Sequence, residues 1–439
     1  MKPLEDMLKE SPYQAYTYAY PHKTAYRPLR PPARLDELWA GERRDALFLY
    51  IHGPFCEMRC GFCNLFTQAK PKTGLAEAYL RTLPRQATRV RAALGEACFA
   101  RFAVGGGTPT QLDVAGLEAV LDVAETIMGA ELKALPVSVE ASPETVTEEK
   151  LALLAERGVD RLSIGIQTFI EAEALAAGRP QKTATVERAL MLIRQAGFAT
   201  LNIDLIYGLP GQTVNSWLAS VRAALAFAPE ELYLYPLYVR PLTGLGRSER
   251  AWDDIRRCCY REARLLLMDE GYTQISMRMF RAGHAPAEAG PVYCCQEDGM
   301  VGLGCGARSY TRALHYANEY AVGARGVREI LAAFIARPED SFDFTDYGLR
   351  LDAAEQRRRY VIQSLLSHEG LVFTAYARRF GTDPFTDLPQ LAELEPQGLA
   401  LQNQEGLFLT PAGVEHSDVI GPWLYSDEMR RLMDAYQWH

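Results

Sequence analysis

At 439 residues, 48% of them hydrophobic, the chain has room for a sizeable core and for more than one domain. A formal net charge of -8 argues against general nucleic-acid binding, which goes with basic excess. Nine irregularly spaced cysteines do not read as a secreted disulfide framework, Met1–Glu10 has no apolar signal-peptide core, and no run of about 18 apolar residues predicts a membrane span, so a reducing, cytoplasmic location is expected.

Residues 1–45 are rich in tyrosine (Tyr13, Tyr16, Tyr18, Tyr20, Tyr26) and proline (Pro12, Pro21, Pro28, Pro31, Pro32). Proline at this density blocks regular helix, so the segment reads as an extended lead-in lying across the main domain. Ala46 to His52 is apolar and β-prone. Directly behind it come Cys56, Cys60 and Cys63 at C-x3-C-x2-C spacing. Three soft thiolates in one loop can hold three irons of a cubane cluster. Asn64, Leu65 and Phe66 follow, so the remaining iron lacks a protein ligand and stays open to a small molecule.

A strand–helix rhythm continues from there. Ala76 to Leu94 has helical character, with Pro84 as a kink or break, and Phe99 to Val104 is a strand ended by Gly105-Gly106-Gly107-Thr108-Pro109-Thr110. Leu117 to Met128 is helical, and Pro136 to Ala141 alternates as a strand. Thr147 can cap the next helix and Gly158 end it, before the strand Val159 to Ile166. Thr183 to Ala196 is helical, Ala199 to Tyr207 a strand, Asn215 to Phe227 helical and Glu231 to Tyr238 a strand. Six strands alternating with helices imply an α/β fold with a parallel sheet, and six units suit a partial (β/α)6 TIM-like barrel; periodicity alone leaves a doubly wound sheet open. The unusual residues fall at the ends of these strands: the cysteine loop after the first, the glycine triplet after the second, then Glu140, Gln167 and Asp204. That is the end where parallel α/β folds place ligands.

Trp252 to Gly271 reads as a long helix, followed by irregular chain with a second glycine-rich turn at Gly302–Ser309. Residues 353–439 read as a small α+β, winged-helix-like domain, with a helix over Ala353–Ser367, another over Leu388–Leu394 and a hairpin strand at Gly406–Pro411. The expected plan is therefore lead-in 1–45, barrel 46–310, helical connector 311–352 and accessory domain 353–439.

Four motifs together resemble the oxygen-independent coproporphyrinogen III oxidase family of radical S-adenosylmethionine (SAM) proteins, which also holds haem chaperones and radical SAM methyltransferases. They are Tyr50–Cys56, Gly105–Thr110, Arg161–Phe169 and Asn202–Pro210. Glu369-Gly370-Leu371, Phe380–Asp383 and Leu409–Gly413 resemble the family's accessory domain. The resemblance implies that Cys56, Cys60 and Cys63 hold a 4Fe–4S cluster and that SAM, in one or two copies, is cleaved there to a 5′-deoxyadenosyl radical. It implies SAM contacts at Tyr50, Phe62, Gly106, Gly107, Thr108, Glu140, Gln167, Arg179 and Asp204. SAM carries an ammonium, a sulfonium and two ribose hydroxyls, so acceptors and carboxylates suit its pocket. An Asp in the apolar run Ile203-Asp204-Leu205-Ile206 would be costly without a role, and glycines let backbone come close.

Two departures from the family pattern mark a divergent member, distinct from the true oxidase and from the haem chaperone. Leu65 stands where the oxidase has a further cysteine, and Tyr293–Asp298 replaces the chaperones' His-Asn-x-x-Tyr-Trp stretch. The expected function is oxidation or decarboxylation of a small-molecule substrate, with a tetrapyrrole as candidate class and an electron donor such as flavodoxin or ferredoxin. The alternatives are two-SAM methyl or methylene transfer, and non-catalytic haem binding. A monomer is expected. Cys294, Cys295 and Cys305 read as structural or unassigned, and Cys98, Cys258 and Cys259 as core thiols.

Overall fold

Side chains alternate along a strand, and here the alternation separates two faces of one sheet. In the computed structural model, which describes residues 2–17, 19–247, 254–287 and 295–439, the chain forms two compact units. The larger comprises Arg27–Gly271, Ala282–Leu349 and Trp438–His439; the smaller comprises Met1–Tyr26, Tyr272–Arg281 and Arg350–Gln437.

The larger unit's main strands are, in chain order, β1 (Arg27–Arg34), β2 (Leu47–Gly53), β3 (Phe99–Gly106), β4 (Val137–Ala141), β5 (Arg161–Gln167), β6 (Thr200–Tyr207), β7 (Glu231–Pro236), β8 (Met300–Leu303), β9 (Arg308–Tyr310), β10 (Leu314–Ala317) and β11 (Phe344–Arg350). The six strands β2 to β7 lie side by side in chain order, all parallel, as an open partial barrel. On the other side of β2 comes β8, also parallel, then β9, β10, β11 and β1.

The two faces differ sharply. Leu49 and Ile51, Phe102 and Val104, Val137 and Val139, Leu162 and Ile164, Leu201 and Ile203, and Leu232 and Leu234 are all buried on one face. Each fully buried side chain of this kind contributes about 1.5–3 kcal/mol, so this face carries the packing. The register puts Tyr50 beside Ala103, Ala103 beside Ser138 and Ser138 beside Arg161 on the other face. One step further along, Glu140 pairs with Ser163, Ser163 with Asn202 and Asn202 with Glu231; Gly165 pairs with Asp204 and Asp204 with Tyr233. The inward face is polar.

Helices Leu75–Leu94, Val114–Asp122, Glu148–Glu156, Thr183–Ala196 and Val214–Leu225 connect the strands. Thr147 caps the third through Lys150 N, and Gly197 ends the fourth in the left-handed region at φ 75°. Pro84 does not break its helix, which continues to Leu94.

Several expected boundaries change. The lead-in 1–45 divides: residues up to Tyr26 belong to the smaller unit, while β1 pairs antiparallel with β11 at the sheet edge. The connector 311–352 is not simply helical. It holds the helix Ala324–Ala336 but also β10 and β11. The turn expected at Gly302–Ser309 is a β8–β9 connection; Gly302 lies inside β8, where a Cβ would come within 2.1 Å of Arg308 O. The helix expected from Trp252 is described over Arg256–Asp269, and its expected start lies outside the described residues, as does Cys294.

In the smaller unit the helix Ala353–Leu365 accompanies a three-stranded antiparallel sheet of Leu371–Val372, Gly406–Leu409 and Ala400–Gln402. The helix expected over Leu388–Leu394 is a 3-10 turn, Pro389–Glu393, behind the short helix Pro384–Asp387. Tyr20 is fully buried and donates to Glu355, and Thr17 and Tyr425 hydroxyls lie 2.8 Å apart, so residues before Tyr26 form part of this unit's core.

Candidate active site

The cysteine loop leaves β2 at its carboxyl end and is fastened on several sides. Gly107 N donates to Gly53 O at 2.8 Å and Thr108 N to Phe55 O at 2.7 Å, which ties the glycine loop after β3 to the residues before Cys56. Gly107 is obligatory there: a Cβ would lie 2.5 Å from Phe55 O and 3.0 Å from Cys56 Sγ. Further along, Gly61 N donates to Ala177 O at 3.0 Å and Leu245 N to Gly61 O at 2.7 Å. A Cβ on Gly61 would sit 2.5 Å from Ala177 O, so this close approach also demands glycine.

Polar groups reach all three sulfurs, Thr67 Oγ1 lying 3.9 Å from Cys63 Sγ. Thr108 Oγ1 donates to Cys56 Sγ at 3.5 Å, and Arg179 Nη1 donates to Cys60 Sγ at 3.1 Å. The same guanidinium is held by Gly165 O at 2.8 Å and Gln181 Oε1 at 3.2 Å, while Gln181 Nε2 anchors on Ile166 O and Thr168 O. Burial pushes the Cys56 thiol up to about 12; burial also raises Cys60, against the nearby Arg179 charge. The protein alone thus keeps these thiols neutral, and a bound metal is what would hold them as thiolates.

Glu140 accepts from Gly106 N at 2.9 Å at the end of β4. Its side chain keeps an exposed surface, yet desolvation on the inward face pushes its carboxyl up to about 7, with the Asp204 charge adding. Asp204 is raised to about 6 by the same desolvation, moderated by a hydrogen bond from Asn202 Nδ2 at 2.8 Å and by the Arg161 charge. Gln167 ends β5 with φ 71°, a left-handed conformation that costs a non-glycine residue about 1–2 kcal/mol. Its amide folds back over Gly165, where a Cβ would meet it at 2.7 Å. The ladder to β6 shifts register at the same place. Tyr50 OH lies 3.2 Å from His52 Nδ1, and Phe62 packs on the buried cluster Ala177, Ile206, Leu209, Leu237 and Leu245 beside Tyr235.

Of the expected site residues, Gly106, Glu140 and Gln167 lie at or next to the carboxyl ends of β3, β4 and β5, Phe62, Gly107 and Thr108 lie in the loops after β2 and β3, Tyr50 and Asp204 lie within β2 and β6, and Arg179 follows the helix Glu171–Ala176. The Radical SAM superfamily model matches residues 50–224, and the HemN C-terminal domain model matches residues 351–416. The oxygen-independent coproporphyrinogen III oxidase of Paracoccus denitrificans is 30% identical over 387 residues, covering 83% of each chain. The chain belongs to the HemN-type radical SAM family. The heme chaperone HemW of Bacillus subtilis is 27% identical, with 85% of this chain and 98% of that protein covered. Coproporphyrinogen III oxidase from Escherichia coli shares the fold, with a TM-score of 0.77 over 99% of both chains at 21% identity.

Membership in this family carries a 4Fe–4S cluster and SAM as cofactors. The donor set fits the cluster: three thiols on one loop, with glycine where the chain passes closest to Cys56. Among the described residues no three His, Cys, Asp or Glu side chains converge on one metal ion. Thiolates that bind one per iron in a cubane need not converge. Leu65, just after the loop, is 47% exposed.

Several polar residues beside the candidate site escaped the sequence reading. Arg161 bridges Glu231 Oε2 at 2.8 Å and Ser138 Oγ at 3.0 Å, and Asn202 joins Ser163 at 2.6 Å to Asp204. Their odd–even parity with Glu140 and Asp204 along the strands was the available signal. Glu57, between the first two cysteines, accepts from Ser142 Oγ at the end of β4. No sequence pattern marks that pairing, which only the fold creates. Among the other thiols, Cys259 and Cys305 are fully buried, whereas Cys98 and Cys258 are exposed, so only Cys259 of the expected three is a core thiol.

Proposed function

We propose that this chain is a radical SAM enzyme that oxidises or decarboxylates a small-molecule substrate, with a tetrapyrrole as candidate class. The supporting observation is the meeting at one rim of the cysteine loop, the glycine loop, Glu140, Gln167, Arg179 and Asp204. Cys56, Cys60 and Cys63 would hold the cluster, which supplies the electron that cleaves SAM reductively to a 5′-deoxyadenosyl radical. Gly106, Gly107 and Thr108 present backbone without side-chain obstruction to the methionyl part of SAM. Glu140 and Asp204, ionised, supply acceptors for the ammonium and ribose hydroxyls, as do the Tyr50 hydroxyl and the Gln167 amide. Phe62 offers an apolar ring to adenine. Arg179 keeps a positive charge on the Cys60 sulfur.

The test is anaerobic reconstitution. The wild-type chain should take up about four irons and the triple variant Cys56→Ala, Cys60→Ala, Cys63→Ala essentially none. Dithionite-reduced wild type should form 5′-deoxyadenosine from SAM; its absence would sink the enzymatic proposal. S-adenosylhomocysteine appearing beside it would favour two-SAM methyl or methylene transfer.

A haem-binding role is the second reading, favoured by the match over 98% of the HemW chaperone's length. A Soret band on haem titration with no SAM cleavage would select it.

A further inference from the structure

The cysteine loop is gripped from a second side by residues that lie far from it in sequence. Tyr320 OH donates to Asn64 O at 2.6 Å, directly after Cys63, and Arg59 Nη2 donates to Val322 O, directly before Cys60. Residues 320–322 thus bracket the Cys60–Cys63 arm at both ends. Tyr320, Ala321 and Val322 are all buried.

This bracket is itself held by Trp438 and His439. Val322 N and Gly323 N both donate to His439 O, at 2.9 and 2.8 Å. Gly323 is the N-cap of the helix Ala324–Ala336 and makes no side-chain cap bond, so the His439 carbonyl accepts from backbone N–H groups where the helix begins. The Trp438 ring meets Tyr320 edge-on, with centroids 6.4 Å apart. Two glycines make room for this approach. A Cβ on Gly323 would lie 3.0 Å from the His439 carbonyl carbon, and one on Gly326 would lie 3.1 Å from His439 Cδ2.

We infer that Trp438 and His439 are positioning residues for the cysteine loop: they lock residues 320–323, which in turn clamp the Cys60–Cys63 arm. The inference rests on the proposed cluster role of that arm only for its consequence, which is a cluster kept from exchange and from oxygen. The clamp itself is a property of the iron-free chain and can be measured there.

The experiment compares wild type, a chain from which Trp438 and His439 are removed, Gly323→Val, Trp438→Ala and Trp438→Phe. Iron-free, reduced protein is treated with iodoacetamide, and alkylation of each cysteine is followed by peptide-resolved mass spectrometry. Removal of the two residues should raise the rates at Cys60 and Cys63 about tenfold, as loss of two backbone hydrogen bonds and a ring contact allows. Gly323→Val should act the same way by displacing His439. Trp438→Ala should give a smaller rise, and Trp438→Phe should restore the wild-type rate. Cys259, fully buried elsewhere in the larger unit, should not change. Unchanged rates at Cys60 and Cys63 would overturn the inference, and so would Cys259 rising in step, since that reports general loosening.

Reconstituted protein gives the second readout. Removal of the two residues should speed the loss of the cluster's visible absorbance in air. Should wild type bind no iron, the proposed function fails, while the alkylation rates still decide the clamp.

Discussion

Glu140 and Asp204 face the same interior with carboxyls raised to about 7 and about 6. Arg161 lowers both, while the Glu231 charge raises Asp204. A raised carboxyl pKa means that the folded chain holds more protons than the unfolded one between the ordinary carboxylate range and these values. Stability therefore falls as pH rises through that window. Asp204→Asn should melt higher than wild type at pH 8, and the difference should shrink towards pH 5. In the proposed site ligand binding would run the opposite way, because an ammonium is best met by ionised carboxylates. Affinity of the reconstituted wild type for SAM should weaken about tenfold from pH 8 to pH 5.5, and equilibrium dialysis would show it. A flat profile would remove these two residues from the SAM site. Under the proposed function the same groups would lower stability where they favour the ligand.

At the scale of the element, β5 ends in a residue whose backbone no L side chain prefers. Such strain persists where the surroundings impose it and collects at functional sites. Gln167→Gly should raise the unfolding free energy by about 1 kcal/mol through relief of that conformation. SAM cleavage should fall with the lost amide. A variant that is both less stable and fully active would contradict this account of the strand end. The strands themselves were largely legible, because Val137, Val139 and Ala141, or Ile203 and Leu205, alternate with polar residues at period two. The cysteine loop and the glycine turn announced themselves by residue type. β8 was not legible: it has four residues, one of them Gly302, and it pairs with β2 from about 250 positions away, a long-range pairing that local propensity does not carry. The clamp of Gly61 between Ala177 and Leu245 was hidden for the same reason, since glycine alone does not say what it approaches.

For the whole molecule, the division into two units does not follow the chain order, and the smaller unit alone is assembled from three separate segments. Residues before Tyr26 look like an extended preface in sequence, yet Tyr20 and Ala19 are buried in the unit that also holds Ala353–Leu365. Tyr20→Ala would leave a cavity and remove the donor to buried Glu355, at a cost of about 3–5 kcal/mol. Amide exchange should then accelerate along Ala353–Leu365, more than 330 residues away in sequence, while β3 to β6 keep their protection. Equal loss of protection in both places would show that the two units unfold as one. No described helix is long and apolar enough to cross a membrane.

The two faces of the β2–β7 sheet have a consequence for how such a chain can change. Packing energy resides in the buried aliphatic face, whereas Ser138, Tyr233 and Tyr235 look inward and are only partly buried. Substitutions at those inward positions alter what the barrel can accommodate while leaving the fold's main source of stability untouched. Under the proposed function, a lineage would exchange one substrate for another by rewriting a handful of alternate residues, with the cysteine loop and its supports left in place. Relatives whose names describe an oxidase and a chaperone can share one scaffold on those terms.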